Sequence, residues 1–430
     1  MNAAWTWLPL RELTIRGATW NPRADPRPSI RYIDVSAVSR DELRIVSEAT
    51  YSAGNAPSRA RKIVEAGDTI FATIRPTLRR IAQIPESLDG EIVSTAFCVL
   101  RPDRHAIDAD FLYFATQLES VMEGIAAMES GASYPAVRDV DVLDQVIPLP
   151  PLPEQREIAA VLNTIRTASL HQAQCEANAT ALKRAAMRTL FTRGLRGEAQ
   201  KETGIGPVPE SWLYSRLGDL AEIAYGAQAA VANATDPAIG TLILTNVNLD
   251  LEGHINLEKR RYYKIPEAQR ERLSLRKGDV LFNWRSGSTN HVGKTVLFDL
   301  DGEYTYSSFI LRFRPHRLVS NKYLFRWLTY LRTSGFFTSQ RNVSSINSVY
   351  NASLSATIPV WFPDAEQQSE FVSTLDAIDR KIDLHRRKRV VLDELFKALL
   401  HKLMTGEIRV GDLDLSRIEE RDPATTQVSE

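Results

Sequence analysis

The feature that most constrains this chain is that it repeats itself. EAGDTIFATIRP around Gly67 and Asp68 returns as LRKGDVLFNWRS around Gly278 and Asp279, displaced by 211 residues. DQVIPLPPLPEQREIAAVLNTI from Asp144 returns as SATIPVWFPDAEQQSEFVSTLDAI from Ser355, with the displacement drifting to 213, so that Ile158, Leu162 and Ile165 align with Phe371, Leu375 and Ile378. The starts of the halves also correspond, WLPLREL at Trp7 with WLYSRLGDL at Trp212. A period of half the chain implies an A-B-A′-B′ order, in which each unit is built twice.

Each A segment, about 150 residues, has the pattern of a compact α+β domain. Runs such as Asp68-Thr-Ile-Phe-Ala-Thr-Ile and Asp279-Val-Leu-Phe-Asn-Trp are rich in β-formers and bounded by Gly and Pro, which predicts short strands. VSTAFCVLRP at Val93 and YSSFILRFRP at Tyr306 are a second such pair. FLYFATQLESVMEGI and YLFRWLTYLRTSGFF have the 3.6-residue period of helices packed on those strands.

The B segments differ. From Glu154 to about Arg193, and from Glu366 to about Met404, neither Pro nor Gly interrupts the chain. At ~1.5 Å per residue these stretches predict helices about 60 Å long. Prolines precede each start (Pro148, Pro150, Pro151, Pro153; Pro359, Pro363), and Gly194 and Gly406 follow each end. Ile158, Ile165, Gln172, Ala179 and Ala186 fall seven apart, as do Phe371, Ile378, His385, Leu392 and Leu399, with a flanking row of Leu162, Leu190, Leu375, Ile382, Phe396 and Leu403. Seams that are apolar at their ends and polar near Gln172 and His385 suit two antiparallel helices held in one register. The expected domains are residues 1–147, a proline-rich entry and helix over 148–200, a second domain over 201–357, a second helical segment over 358–408, and a loose tail over 409–430.

PLPPLPEQREI, a helix of this length, GPVPESW opening a second globular domain, and a weaker second EQ before another long helix together resemble the specificity subunits of type I restriction-modification systems. The resemblance covers nearly the whole chain and implies two target-recognition domains, each reading half of a bipartite DNA site, joined by two long helices in an antiparallel coiled coil. It further implies that Pro150, Pro151, Glu154 and Gln155, and in the second copy Pro363, Glu366 and Gln367, belong to partner-binding regions, with the first apolar helix positions Ile158, Leu162, Phe371 and Leu375. The second copy departs from the family pattern, VWFPDAEQQ replacing PLPPLPEQ. The implied partners are double-stranded DNA, two methyltransferase (modification) subunits and, where present, two restriction subunits. Two unlike readers on a rigid spacer would contact unlike half-sites about one helical turn apart, ~34 Å.

The 53 Lys and Arg balance 53 Asp and Glu, so any DNA-binding surface has to come from local clusters. Between Ser58 and Arg80 lie Arg59, Arg61, Lys62, Arg75, Arg79 and Arg80 against Glu65 and Asp68 alone. Arginine suits phosphates and guanine edges alike, although a solvated charged face is the plainer reading. In the second half NWRSGSTNHVGK offers Asn283, Arg285, Ser288, Asn290, His291 and Lys294 as base-reading groups, or a simple surface turn. KRRYYK, with Lys259 and Arg260, is a candidate phosphate contact. Ser133-Tyr134 and Ser345 to Asn347 occupy matching places before the helix entries, where the family resemblance implies nearby DNA and where turn-forming residues also belong. His385 to Arg389 reads as a coiled-coil face or partner contact.

No catalytic role is legible. Adenine methylation needs a cofactor-binding glycine loop and an NPPY-type tetrapeptide, and the nearest string, Asn21-Pro22-Arg23-Ala24, lacks the aromatic that would stack on a flipped base. There is no GxxxxGK[ST], no HxxxH-like metal spacing among seven histidines, and no triad motif. The chain is therefore expected to bind no cofactor, with S-adenosylmethionine, ATP and Mg²⁺ used by partners. Two cysteines, Cys98 and Cys175, exclude a disulfide framework or structural zinc and fit a cytoplasmic location. Arg11 and Glu12 break the N-terminal apolar stretch, and no run of about 18 apolar residues suggests a membrane span. Two other classes stay open: a protein scaffold, which predicts salt-insensitive binding, and a fused methyltransferase, which predicts methyl transfer by the chain alone.

Overall fold

The computed structural model describes residues 5–131, 133–228, 236–286, 291–316, 318–339 and 348–413. The chain divides into two compact units, one comprising the residues up to Gln174 and those from His385 onward, the other Cys175–Leu384. Each unit therefore combines one globular domain with part of both long helices, whereas the sequence had suggested a serial order of domain and helix.

In the first unit a four-stranded antiparallel sheet runs in the order Thr14–Ile15, Phe97–Pro102, Thr69–Ala72, Ile81–Gln83. A second has the order Ala49–Tyr51, Ile30–Ile33, Ile92–Ser94, Ala60–Ile63, with one parallel pairing, Tyr32 against Ile92. The second unit repeats this plan. Ala221–Tyr225, Ile310–Pro315, Val280–Asn283 and Thr295–Leu297 form its four-stranded sheet. Tyr262–Tyr263, Thr241–Leu244 and Tyr304–Tyr306 form the other, again with one parallel pair. Helices Ala109–Ala115 and Glu119–Met128 in one unit, and Asn321–Thr333 in the other, cover the first sheet.

The Gly-Asp repeat proves to be architectural. Gly67 and Gly278 hold φ of 90° and 92°, a left-handed turn that glycine alone adopts at no steric cost. The following Asp68 and Asp279 are buried, and each accepts a two-pronged ion pair from an arginine on the adjacent strand, Arg101 (Nη2 to Asp68 Oδ2, 2.9 Å) and Arg314 (Nε to Asp279 Oδ1, 2.7 Å). Each carboxylate also accepts a backbone N–H, from Glu65 or Arg276 at 2.8 Å. With donors on every side a buried carboxylate is tolerated.

A two-stranded ribbon closes each domain: Thr6–Pro9 against Val146–Leu149, and Leu213–Arg216 against Pro359–Phe362. Its register corrects the alignment of the starts. Thr6 faces Leu149 as Leu213 faces Phe362, so Trp5 corresponds to Trp212 and Trp7 to Tyr214.

The long helices are continuous, Leu152–Arg193 and Ala365–Met404, within two residues of the expected bounds. In the first unit Ile158, Leu162 and Ile165 share a core with Leu399, Leu403 and Met404 and with the domain's Phe111, Leu112 and Phe114. Ser169 donates to Asp393 at 2.5 Å and Gln172 meets His385 at 2.7 Å, so the two helices run antiparallel there. In the second unit Met187 and Phe191 pack with Phe371, Leu375, Trp212 and Trp327, and Lys183 pairs with Asp379 at 2.6 Å. The polar Gln172–His385 contact falls where the seam was expected to turn polar, a device that fixes register.

Candidate nucleic-acid interface

In the first unit the strand Thr69–Ala72 leaves its sheet and runs into the loop Ile74–Arg80 before returning as Ile81–Gln83. The exit is pinned by Val137 N–H donating to Thr73 O at 2.9 Å and Arg75 N–H to Pro135 O at 2.7 Å. Arg75 and Arg79 both hold left-handed backbones, φ 48° and 52°, around the turn Pro76–Leu78. Such angles are costly for residues with a Cβ and persist where the surroundings over-determine them, a pattern frequent at binding loops.

The six basic residues of this region have different destinations. Arg59 is exposed, and Arg61, half-buried, donates to Ala60 O at 2.6 Å. Lys62 turns inward, its Nζ donating to Asp139 at 2.5 Å and Phe97 O at 2.7 Å. Arg79 pairs with Glu119 at 2.5 Å, and Arg80 ties down the carbonyls of Val35 and Val38. Arg75 is different: its guanidinium is exposed and lies over the ring of Tyr134, 5.0 Å from the centroid, and Tyr134 itself is 71 % exposed. Ser133, beside it, is exposed.

The second unit places Asn283, Arg285, His291 and Lys294 at the corresponding edge, and Lys259 and Arg260 before the Tyr262–Tyr263 strand of its other sheet. Asn283 is fully buried, its Nδ2 donating to His291 O at 2.8 Å to close the loop behind it. Lys294 is also buried and donates to Leu249 O at 2.8 Å, and burial lowers its pKa. Burial, and then the charge of Lys294, lowers His291. Arg285 is exposed, over the ring of Phe309 at 5.7 Å. Lys259 and Arg260 are exposed, Arg260 donating to Leu257 O at 3.2 Å. Ser288, Asn290, Ser345 and Asn347 lie outside the described residues.

At the helix entries Gln155 is buried and does three things: its Oε1 accepts Asp108 N–H at 2.8 Å, and its Nε2 donates to Pro150 O at 2.8 Å and Ala106 O at 3.3 Å. Asp108 in turn caps the helix Ala109–Ala115. The second unit has the same staple on Gln368, with Ser320 N–H at 2.9 Å and the carbonyls of Leu318 and Pro363 at 2.9 and 3.0 Å, and Ser320 is again a helix cap. The residue equivalent to Gln155 is therefore Gln368. Gln367 instead donates to Asp364 in the helix's first turn, and Glu366 is exposed. Reading EQ as a dipeptide missed this, although the 213-residue displacement already pointed to Gln368. Pro150 and Pro363 are buried and Pro151 exposed, and Glu154 accepts Trp5 Nε1–H at 3.2 Å. Ile158, Leu162, Phe371 and Leu375 are buried within their own units' cores.

Among the described residues, Asp250, Glu252 and His254 bring three potential metal-ligating atoms within 4.8 Å of one another. The arrangement is explained by a turn: Asp250 Oδ1 accepts the N–H groups of residues 252, 253 and 254 at 2.7–2.8 Å. Burial raises that carboxyl, but these bonds and the one with His254 outweigh it and hold the pKa at about 2.

What results is a pair of similar sheet edges that differ in the chemistry they present. The match to known proteins agrees with that geometry. Residues 30–177 and 209–394 match the family model described as the type I restriction modification DNA specificity domain. The MjaVIII specificity subunit of Methanocaldococcus jannaschii is 26 % identical over 340 residues, 75 % of this chain and 76 % of that protein. The StySPI specificity subunit of Salmonella potsdam is 24 % identical over 333 residues, 73 % and 68 % of the two chains. Among solved structures, a chain from work on complex assembly and conformational transition of the type I R-M system aligns with a TM-score of 0.59 and 27 % identity, covering 94 % of this chain and 98 % of that one. The S subunit of a type I restriction-modification system from M. genitalium shares the fold at a TM-score of 0.58 and 14 % identity, over 94 % and 96 % of the two chains. With the family model spanning both units, this chain belongs to the specificity subunits of type I restriction-modification systems.

Proposed function

We propose that this specificity subunit reads a split, asymmetric DNA site, one half with each unit, and carries modification subunits to it. The observation that supports this reading is the repetition itself. Two units share the strand order of their first four-stranded sheet and a closing ribbon, yet the segments that leave those sheets differ, presenting Arg75 and Tyr134 in one and Arg285 and Phe309 in the other. Similar frames with unlike edges suit two half-sites of unlike sequence, since base identity is read by side chains and phosphate contacts supply position. Arg59, Arg75, Lys259, Arg260 and Arg285 are the proposed DNA contacts, because their cationic ends reach solvent. Lys62, Arg80, Asn283 and Lys294 shape the loops from within.

The proline-rich entries, with Pro151 and Glu366 exposed, are the proposed docking regions for two modification subunits, and restriction subunits join where the system has them. In this reading the subunit is non-catalytic: methyl transfer to adenine N6 from S-adenosylmethionine, and ATP-dependent cleavage with Mg²⁺, reside in the partners. No described helix is long and apolar enough to cross a membrane.

The test is to co-express the chain with a candidate modification methyltransferase from the same genome and to map N6-methyladenine across the host DNA. A split motif that needs both proteins is the expected result. An active, stable complex with unchanged methylation, or DNA affinity insensitive to salt, would favour a scaffold instead.

A further inference from the structure

Five cation–aromatic pairs occur among the described residues, and three have ordinary internal duties. Arg166 donates to Leu43 O, Lys201 to the carbonyls of Glu210 and Trp212, and Arg326 pairs with Asp376 and Asp379. The other two, Arg75 over Tyr134 and Arg285 over Phe309, have exposed guanidinium groups with no acid or carbonyl partner among the described residues. Their aromatic partners also reach solvent, Tyr134 71 % and Phe309 36 % exposed.

Position makes these two pairs informative. Thr73 and Trp284 are equivalent: Thr73 N–H donates to Ala96 O and Val137 N–H to Thr73 O, while Trp284 N–H donates to Phe309 O and Tyr350 N–H to Trp284 O. Arg75 lies two residues beyond this anchor, and Arg285 one. Tyr134 stands in the loop before Val137, whereas Phe309 occupies the place of Ala96. Neither the arginine nor the aromatic therefore stands at an equivalent position in the two halves. The same chemical pair has been built twice, from different residues, at the same edge of the same sheet. Duplication explains the shared frame; a shared demand on that edge explains the pair.

We infer that each pair is a base-reading element, and that each reads a guanine, one in either half of the site. The inference rests on the proposed function above. A guanidinium fork matches guanine O6 and N7 in two parallel hydrogen bonds, the commonest specific contact in the major groove. An aromatic face beneath the fork limits its rotation without neutralising it. At Arg75 the left-handed backbone further fixes the direction in which the side chain leaves the loop. A phosphate contact would need only the charge, which lysine supplies equally well; the stacked plane is needed only where orientation matters.

The experiment follows from that difference. Full-length Arg75→Lys, Arg75→Ala, Arg285→Lys and Arg285→Ala chains would be co-expressed with the modification subunit, the methylated motif mapped, and affinity for a random duplex measured. Both substitutions at Arg75 are expected to relax one G·C position in one half of the motif, and both at Arg285 one in the other half. Preference at each position should fall on the order of 10- to 100-fold, with random-duplex affinity kept by the lysine variants. A lysine variant with the wild-type motif, or relaxation at an A·T position, overturns the inference, as does equal weakening on specific and random DNA. Should an alanine variant fail to assemble, the lysine variant decides. A wild-type complex that leaves no split motif removes the underlying reading as well, and so is distinguished from a failure in the variants alone.

Discussion

Asp68 and Asp279 hold the same place in the two units, but their arginines are unequally shielded: the Arg101 side chain is 10 % exposed and that of Arg314 25 %. Replacing either carboxylate by an amide removes the buried counter-charge of its arginine, leaving Arg101 its second pair, with the exposed Glu65 at 2.7 Å; losing one partner of a fully desolvated pair typically costs about 3–5 kcal/mol. Both substitutions are expected to cost less than that range, Asp68→Asn because Glu65 still pairs with Arg101 and Asp279→Asn because water reaches Arg314. Hydrogen exchange across the strands Phe97–Pro102 and Ile310–Pro315 measures the difference. Equal protection in both variants and the wild type would mean that the pairs contribute nothing net. At this scale the sequence identified residue types but not destinations. Lys62 and Lys294 looked like available cations, yet their acceptors, Asp139 and Leu249, come from distant segments that no local pattern connects to them.

Among the elements, the junction between each domain and its long helix rests on a glutamine. Gln155 and Gln368 satisfy the N–H of a helix-capping residue and two carbonyls that would otherwise be buried without partners. Leaving such groups unsatisfied costs about 1–3 kcal/mol. Gln155→Ala is expected to raise exchange at Ala106–Asp108 and Gln368→Ala at Leu318–Ser320, each without effect in the other unit. Loosening of both junctions by either variant would refute their independence. The same junctions carry unlike pairs at matching turns, Asn163 with Asp110 in one and Asp376 with Lys322 in the other. The helix bounds were legible because proline and glycine punctuate them. Gln368 was legible only through the repeat's displacement, since a short motif can slip by one residue while a three-bond staple cannot.

At the scale of the whole molecule, each compact unit takes one end of each long helix. A fragment of residues 1–200 keeps Ile158, Leu162 and Ile165 but loses Phe396, Leu399, Leu403 and Met404, which complete that core, and with them the Phe114–Phe396 ring contact at 5.8 Å. The fragment is expected to cover the exposed seam by self-association, visible in sedimentation, or to melt well below the intact chain. A monomer as stable as the full-length protein would refute the dependence.

The sequence by itself determined the duplication, the α+β domains, the extent of both long helices and the polar point in their seam, because periodicity and punctuation are local and the second copy checks the first. It also determined the family, through an ordered set of motifs. Only the tertiary structure decided that Gly-Asp is a buried ion-pair turn, that Lys62, Asn283 and Lys294 serve the interior, and that Arg75 and Arg285 keep their charge for solvent. The physical reason is that a side chain's role depends on which acceptors the fold brings within about 3 Å of it, and those acceptors come from segments whose distance in the sequence carries no signal.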